Sequence, residues 1–313
     1  MKLPEIARQL AGACVVFLAV TAGAFGQIAP GAEPHAVVGE AALWRNLAYS
    51  DASKSCVLDL ALPLAKSERP RPAIVVIHGG GWLEGDKSSF STPEVPTPGN
   101  IFDFARRGFV AATINYRLSG EAPYPAALTD CQQAILWLRA HAKEYGIDAQ
   151  RIGAYGNSAG GHLALLVAMT DAEPPQDGKV LARLSLSSRV QAAVSDSGPL
   201  DLVFGHEHNQ LLTVIEKFLG GPPQGERLAQ YRRASPSTYT AEKLPPLLLI
   251  YGVEDEQVDV RTADQFVAAL GAAGQRDVSY LRLAAVGHCP HSLVRVPYVR
   301  GVVEDFFVRV LKP

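Results

Sequence analysis

From about residue 40 onward, short β-rich apolar runs alternate with longer stretches of helical period. The strand-like runs are ALWRNLAY (42–49), CVLDLAL (56–62), AIVVIHG (73–79), FVAATINY (109–116), RIGAYG (151–156), VQAAVSDSG (190–198), PLLLIYG (246–252) and VSYLRL (278–283). The first two alternate apolar and polar positions, as an antiparallel edge does. The later ones are continuous apolar runs, as parallel strands covered on both faces are. Between them, PAALTDCQQAILWLRAHAKEYG (125–146) starts with proline and ends with glycine, the usual asymmetry of helix ends. SAGGHLALLVAMT and VRTADQFVAALGAAG each follow a strand, and VPYVRGVVEDFFVRVL closes the chain with an amphipathic period. Eight strands with interleaved helices predict an α/β fold: a mostly parallel, doubly wound sheet with helices on both faces.

Two stretches interrupt the alternation. Residues 171–189 are polar and contain proline. Residues 202–240 are too long for a turn and carry their own apolar periodicity, which predicts a small cap over the strand ends. The first 26 residues differ from the rest: Lys2 and Arg8 precede an apolar, small-residue-rich run, and Ala24 and Gly26 stand at −3 and −1 to Gln27. That is the pattern of a cleaved signal peptide, with an N-terminal anchor as the alternative. The expected organisation is a signal peptide over 1–26 and one α/β domain over 27–313, secreted or periplasmic, with no stable membrane span after cleavage.

The 313 residues are 48% hydrophobic and 19% charged, with a formal net charge of −2. This is an ordinary globular composition, and it gives no electrostatic reason to expect a nucleic-acid partner. Beyond the leader, Cys56, Cys131 and Cys289 are an odd number without metal-type spacing, which leaves room for one bridge between an unspecified pair.

The chemistry concentrates in two glycine-rich stretches. Gly156-Asn157-Ser158-Ala159-Gly160 places a serine between a buried-looking strand and a helix. Such a turn lifts a nucleophilic oxygen clear of the sheet at the positive end of a helix. In IVVIHGGGWLEGDK, three glycines follow a strand and His78, so that backbone N–H groups can face a cavity. The amides of Gly80, Gly81 and Ala159 are the candidate oxyanion hole. Asp86-Lys87-Ser88 has the wrong spacing for a phosphate loop. Trp82 is a candidate for lining the acyl pocket, although burial alone explains a tryptophan there equally well. HEH at 206–208 could ligate a metal, but adjacent residues in an extended segment point to opposite faces and no second cluster accompanies it, so a solvated surface pair is expected instead.

Three stretches together, HGGGW, INYRLSGEAPYPAALTDCQQAILWLRAHAKEYGIDAQRIGAYGNSAGGHLA and LLLIYGVEDEQV, resemble the α/β-hydrolase esterases. They are most similar to the branch related to hormone-sensitive lipase and to bacterial feruloyl and acetylxylan esterases. The resemblance covers about residues 70–170 and 244–290. Asn157 departs from it, standing where these enzymes usually carry Asp, His or Glu, and the resemblance does not extend to the cap region between 202 and 240. Tyr116 and Arg117 match a position that is usually structural.

The order expected for this fold is serine, acid, histidine. His288, in the loop after the last strand and preceded by Gly287, is the favoured base, with His291 in reserve. Asp255 follows a strand end and matches the acid loop of the resemblance. Asp196, Asp259 and Glu254 are its rivals. Cys289 lacks a glycine elbow and reads as a packing residue or bridge partner. Ser158, His288 and Asp255 would then hydrolyse a small-molecule or polysaccharide-linked ester, with short acyl or aromatic groups implied by the resemblance. No cofactor or metal is needed. An amide hydrolase, a lipase using LLTVIEKFL (211–219) as a lid, and a non-enzymatic binding protein remain open. The oligomeric state is not specified.

Overall fold

The computed structural model describes residues 33–93, 97–173, 186–208, 211–289 and 296–312. The expected signal peptide lies outside the described residues. One sheet is built from β1 (Ala36–Val38), β2 (Ala41–Ala48), β3 (Val57–Pro63), β4 (Arg71–Ile77), β5 (Val110–Ile114), β6 (Ile147–Asn157), β7 (Ala192–Asp196), β8 (Leu247–Gly252) and β9 (Val278–Leu283), in the order β1-β2-β3-β5-β4-β6-β7-β8-β9. The first three strands run antiparallel and β3 joins β5 antiparallel. From β5 to β9 every pairing is parallel. All eight expected strands are present. The ninth, β1, has three residues and pairs only with β2, too short a run to leave a period in the sequence.

The helices are α1 (Ile101–Arg106), α2 (Ala126–Ala140), α3 (Ala142–Tyr145), α4 (Ala159–Met169), α5 (Leu202–Glu207), α6 (Leu212–Leu219), α7 (Glu226–Arg233), α8 (Val260–Ala272) and α9 (Val296–Leu311). The helix expected over 125–146 is split at His141, and Gly146 ends it in the left-handed region at φ 64°. Strand β4 shows how the layers form. Val75 and Ile77 point to the core beneath α2, α4 and α8, whereas Ile74 and Val76 meet α1 and α9 on the other face. With both faces covered, β4, β5, β7 and β8 bury nearly every residue, which accounts for their unbroken apolar runs, whereas β9 at the edge is only half-buried.

The C-terminal ends of β4, β6, β8 and β9 open onto the same edge of the sheet, as parallel strands must, and each candidate site residue follows one of them. The glycine loop after β4 is anchored at its far end by a buried charge cluster. Asp59 on β3 is fully buried and accepts from Lys87 Nζ at 2.8 Å, Ser91 Oγ at 2.8 Å, Asn46 N–H at 2.9 Å and Arg45 Nη1 at 3.2 Å. The Lys87 amide also donates to Asn115 Oδ1 at 2.6 Å. Removing the carboxylate strands a buried ammonium. Asp59→Ala is therefore expected to lose about 3 kcal/mol and to lower Tm by roughly 6–12 °C. A thermal melt within about 2 °C of the parent would contradict this role.

Candidate active site

Ser158 follows β6 directly and heads α4, with φ 51° and ψ −124°. This backbone geometry disfavours side chains and brings the flanking turns into contact. A Cβ on Gly156 would overlap the Gly160 carbonyl, and one on Gly160 would strike the Ile77 carbonyl at the end of β4. The G-x-S-x-G spacing is thus a packing requirement as well as a turn signal. The Ser158 amide donates to the Asp196 carbonyl at 2.7 Å, tying the turn to the neighbouring strand.

The half-buried Ser158 Oγ lies 2.9 Å from His288 Nε2, and His288 Nδ1 lies 2.8 Å from Asp255 Oδ2. The carboxylate can only accept, so the ring proton sits on Nδ1 and Nε2 offers its lone pair to the serine hydroxyl. Asp255 is held in turn: its Oδ1 accepts the Gln257 and Val258 amides at 2.9 and 2.8 Å, and its side chain is fully buried. The rivals are engaged elsewhere. Asp196 is buried and accepts from Tyr155 at 3.4 Å and Ser197 at 3.3 Å. Asp259 caps α8 through the Arg261 amide, and Glu254 is exposed. His291 lies outside the described residues.

The glycine loop packs on the serine turn. A Cβ on Gly79 would sit 3.2 Å from Ser158 Cβ, and the Gly79 amide donates to Asn157 Oδ1 at 3.0 Å. Gly80 and Gly81 have φ of 102° and 60°. Among the described residues, their amides donate no hydrogen bond within the chain. The Ala159 amide belongs to the first turn of α4, which has no intrahelical acceptor. His78 is buried, which pushes its pKa down, and its Nδ1 proton goes to the Gly79 carbonyl at 2.7 Å. Tyr116 stacks on that ring at 4.4 Å and donates to the His78 carbonyl at 2.9 Å, while Asp130 holds Arg117 through two side-chain bonds.

The role of Asn157 was not legible. Its carbonyl oxygen takes the Gly79 amide, and its Nδ2 lies 4.0 Å from the sulfur of Cys289, the neighbour of His288. The sequence marked it only as a departure. Cys56, Cys131 and Cys289 are all buried, and no disulfide joins any two of them.

The stretch expected to form the cap carries α5, α6 and α7. Trp82 is fully buried beneath it, stacked on Phe218 of α6 at 4.3 Å and edge-on to His162 at 5.0 Å. The indole is therefore a packing element rather than an open pocket wall. Instead the cap brings Val214 against the glycine loop, where a Cβ on Gly81 would lie 2.8 Å from Val214 Cγ1. His162 on α4 donates from Nε2 to the Ala234 carbonyl at 2.6 Å, joining the serine helix to the cap. His206 pairs with Glu216 at 3.0 Å, whereas His208 donates to the Phe204 carbonyl and stacks on that ring. Among the described residues, no group of three or more His, Cys, Asp and Glu side chains gathers as a metal site, and no helix is long and apolar enough to cross a membrane.

With this geometry in view, the matching family model, BD-FAE, extends over residues 58–270. The chain belongs to the BD-FAE family. It is 32% identical over 244 residues to the probable carboxylic ester hydrolase LipM of Mycobacterium tuberculosis, a match covering 76% of this chain and 54% of that protein. This BD-FAE member spans little more than half the length of the curated relatives it matches. A truncated carbohydrate esterase from gut microbiota superposes with a TM-score of 0.71 at 26% identity, covering 87% of this chain and 96% of that one. The acetyl ester-xyloside bifunctional hydrolase of Caldicellulosiruptor lactoaceticus gives 0.67 at 25% identity, covering 81% and 88%. The architecture is the α/β-hydrolase fold.

Burial lowers the pKa of His162 from 6.5 to about 4, only partly offset by its bond to Ala234. Between those values the unfolded chain takes up a proton that the folded chain excludes. The stability from keeping His162 neutral is complete above pH 6.5 and is lost as pH falls toward 4. The full effect is on the order of 3 kcal/mol. In denaturant titrations across this window, His162→Asn is expected to lose stability with a shallower pH slope than the parent. Equal slopes would assign the acid sensitivity to other groups.

Proposed function

We propose that this chain is a serine carboxylic-ester hydrolase acting on short-acyl esters, with polysaccharide-linked acetyl groups as the favoured substrate class. The observation that carries the reading is the continuous hydrogen-bonded chain from Asp255 through His288 to Ser158, at 2.8 and 2.9 Å. In this mechanism His288 takes the serine proton as Ser158 Oγ attacks the ester carbonyl, and Asp255 stabilises the imidazolium that forms. The amides of Gly80, Gly81 and Ala159 receive the developing oxyanion. His288 then protonates the departing alcohol, and water attacks the acyl-enzyme by the same route in reverse.

The cap bears on substrate choice. Val214 covers Gly81 on one side of the proposed oxyanion loop, and Phe218 seals Trp82 beneath it, which disfavours a long acyl chain. The carbohydrate and acetyl-ester chemistry named for the two structural neighbours supports the polysaccharide assignment. The leader-like pattern over 1–26 supports work outside the cytoplasm.

The test is hydrolysis of 4-nitrophenyl esters from acetate to decanoate, plus ferulate. The parent is expected to prefer acetate, and Ser158→Ala or His288→Ala to lower kcat by about 10⁴ or more. Turnover that survives Ser158→Ala would overturn the mechanism. Val214→Ala is expected to raise the hexanoate-to-acetate ratio of kcat/KM about tenfold, by opening space beside the glycine loop. An unchanged chain-length profile would remove Val214 from the specificity argument.

A further inference from the structure

A second concave site lies away from the serine. It is a groove of about 430 Å³ between the start of α2, the end of α4, α7 and the turn Pro236–Tyr239. Thr170, on its wall, follows the last residue of α4, whereas Ser158 precedes the first. The helix between them separates the two by about 18 Å. A molecule held here is therefore not the bond being cleaved.

The lining is neither an acyl pocket nor an anion site. Two aromatic rings, Tyr124 and Tyr239, contribute to it, and both are held before any ligand arrives. The Tyr239 hydroxyl donates to the Arg233 carbonyl at 2.8 Å. Tyr124 meets Phe218 edge-on at 5.5 Å, and its amide donates to the Phe218 carbonyl at 2.7 Å. Around these rings stand amide and guanidinium groups. Among the described residues, the side chains of Gln133, Gln230 and Arg233 make no hydrogen bond or ion pair within the chain. Gln132 is buried and uses only its NH₂, donating to Thr170 Oγ1 at 3.4 Å. Among the described lining residues, the one cation, Arg233, is accompanied by Asp171 and Glu173.

Fixed aromatic faces beside unpaired amide forks match one ligand chemistry well. A sugar ring offers a C–H face that packs on an aromatic plane, and neighbouring hydroxyls that pair with amide and guanidinium groups. We infer that this groove is a second binding site for a neutral oligosaccharide, which holds a polymeric substrate while Ser158 acts on an ester elsewhere along it. The inference rests on the polysaccharide side of the proposed function. Preformed rings limit the ordering lost on binding.

The experiment is calorimetric titration of xylohexaose, with cellohexaose as the alternative glycan, into the Ser158→Ala protein and into that protein carrying Tyr239→Ala or Gln133→Ala. Binding to Ser158→Ala is expected, and weakening by about tenfold, ~1.4 kcal/mol, in each groove variant. Gln133 sits on the groove surface, so its variant serves where Tyr239→Ala lowers stability. With Ser158 intact, the groove variants are expected to lose about tenfold in kcat/KM on acetylated xylan while 4-nitrophenyl acetate turnover is unchanged. Absence of binding by both hexasaccharides, or binding that both groove variants leave intact, overturns the inference. The two readings fail separately. Groove-dependent binding without ester hydrolysis would sink the esterase alone, and serine-dependent hydrolysis without oligosaccharide binding would sink the groove alone.

Discussion

The turn at Ser158 is the constraint on which the rest depends. A serine at φ 51° exists only where its neighbours can approach backbone to backbone, and Gly156, Gly160 and the Ile77 carbonyl provide that contact. The central position of β6, with β4 on one side and β7 on the other, makes the approach possible. β4 delivers the glycine loop, and β7 supplies the Asp196 carbonyl that fixes the Ser158 amide. Asp255 and His288 arrive from the next two strands, β8 and β9. A parallel sheet brings four loops to one edge without any of them needing to be long.

Around the serine, polar groups are matched so that few degrees of freedom remain. Asp255 spends one oxygen on two backbone amides and the other on His288, so its orientation does not depend on substrate. Asn157 takes the Gly79 amide and approaches Cys289, placing one neutral side chain between the glycine loop and the histidine loop. The cap is joined to this centre through stacked rings and through the His162 bond to Ala234. Val214 then reaches Gly81 as a consequence of where α6 is seated.

How much of this was legible depended on whether the signal was local. The switch from a buried strand to a helix around Ser158 is written in adjacent residues, and so is the strand end before Asp255. His288 stands out because a glycine and a strand precede it. Long-range packing left no comparable trace. Trp82 has the same sequence context whether it lines a pocket or lies under Phe218, 136 positions away by numbering. Asn157 shows only as an unusual letter until the Gly79 amide is seen against it. Strand β1 is too short to carry a period, and the break at His141 interrupts a run whose composition favours helix throughout.

The central claim is that Ser158 is a nucleophile activated by His288. Its most direct test is covalent capture: reaction with diethyl 4-nitrophenyl phosphate followed by peptide mass analysis. An activated serine displaces nitrophenolate and keeps the diethylphosphoryl group, whereas an ordinary serine does not react. The account predicts stoichiometric labelling confined to the peptide bearing Ser158, and its loss in His288→Ala. Labelling elsewhere, or none at Ser158 in the intact protein, would contradict it.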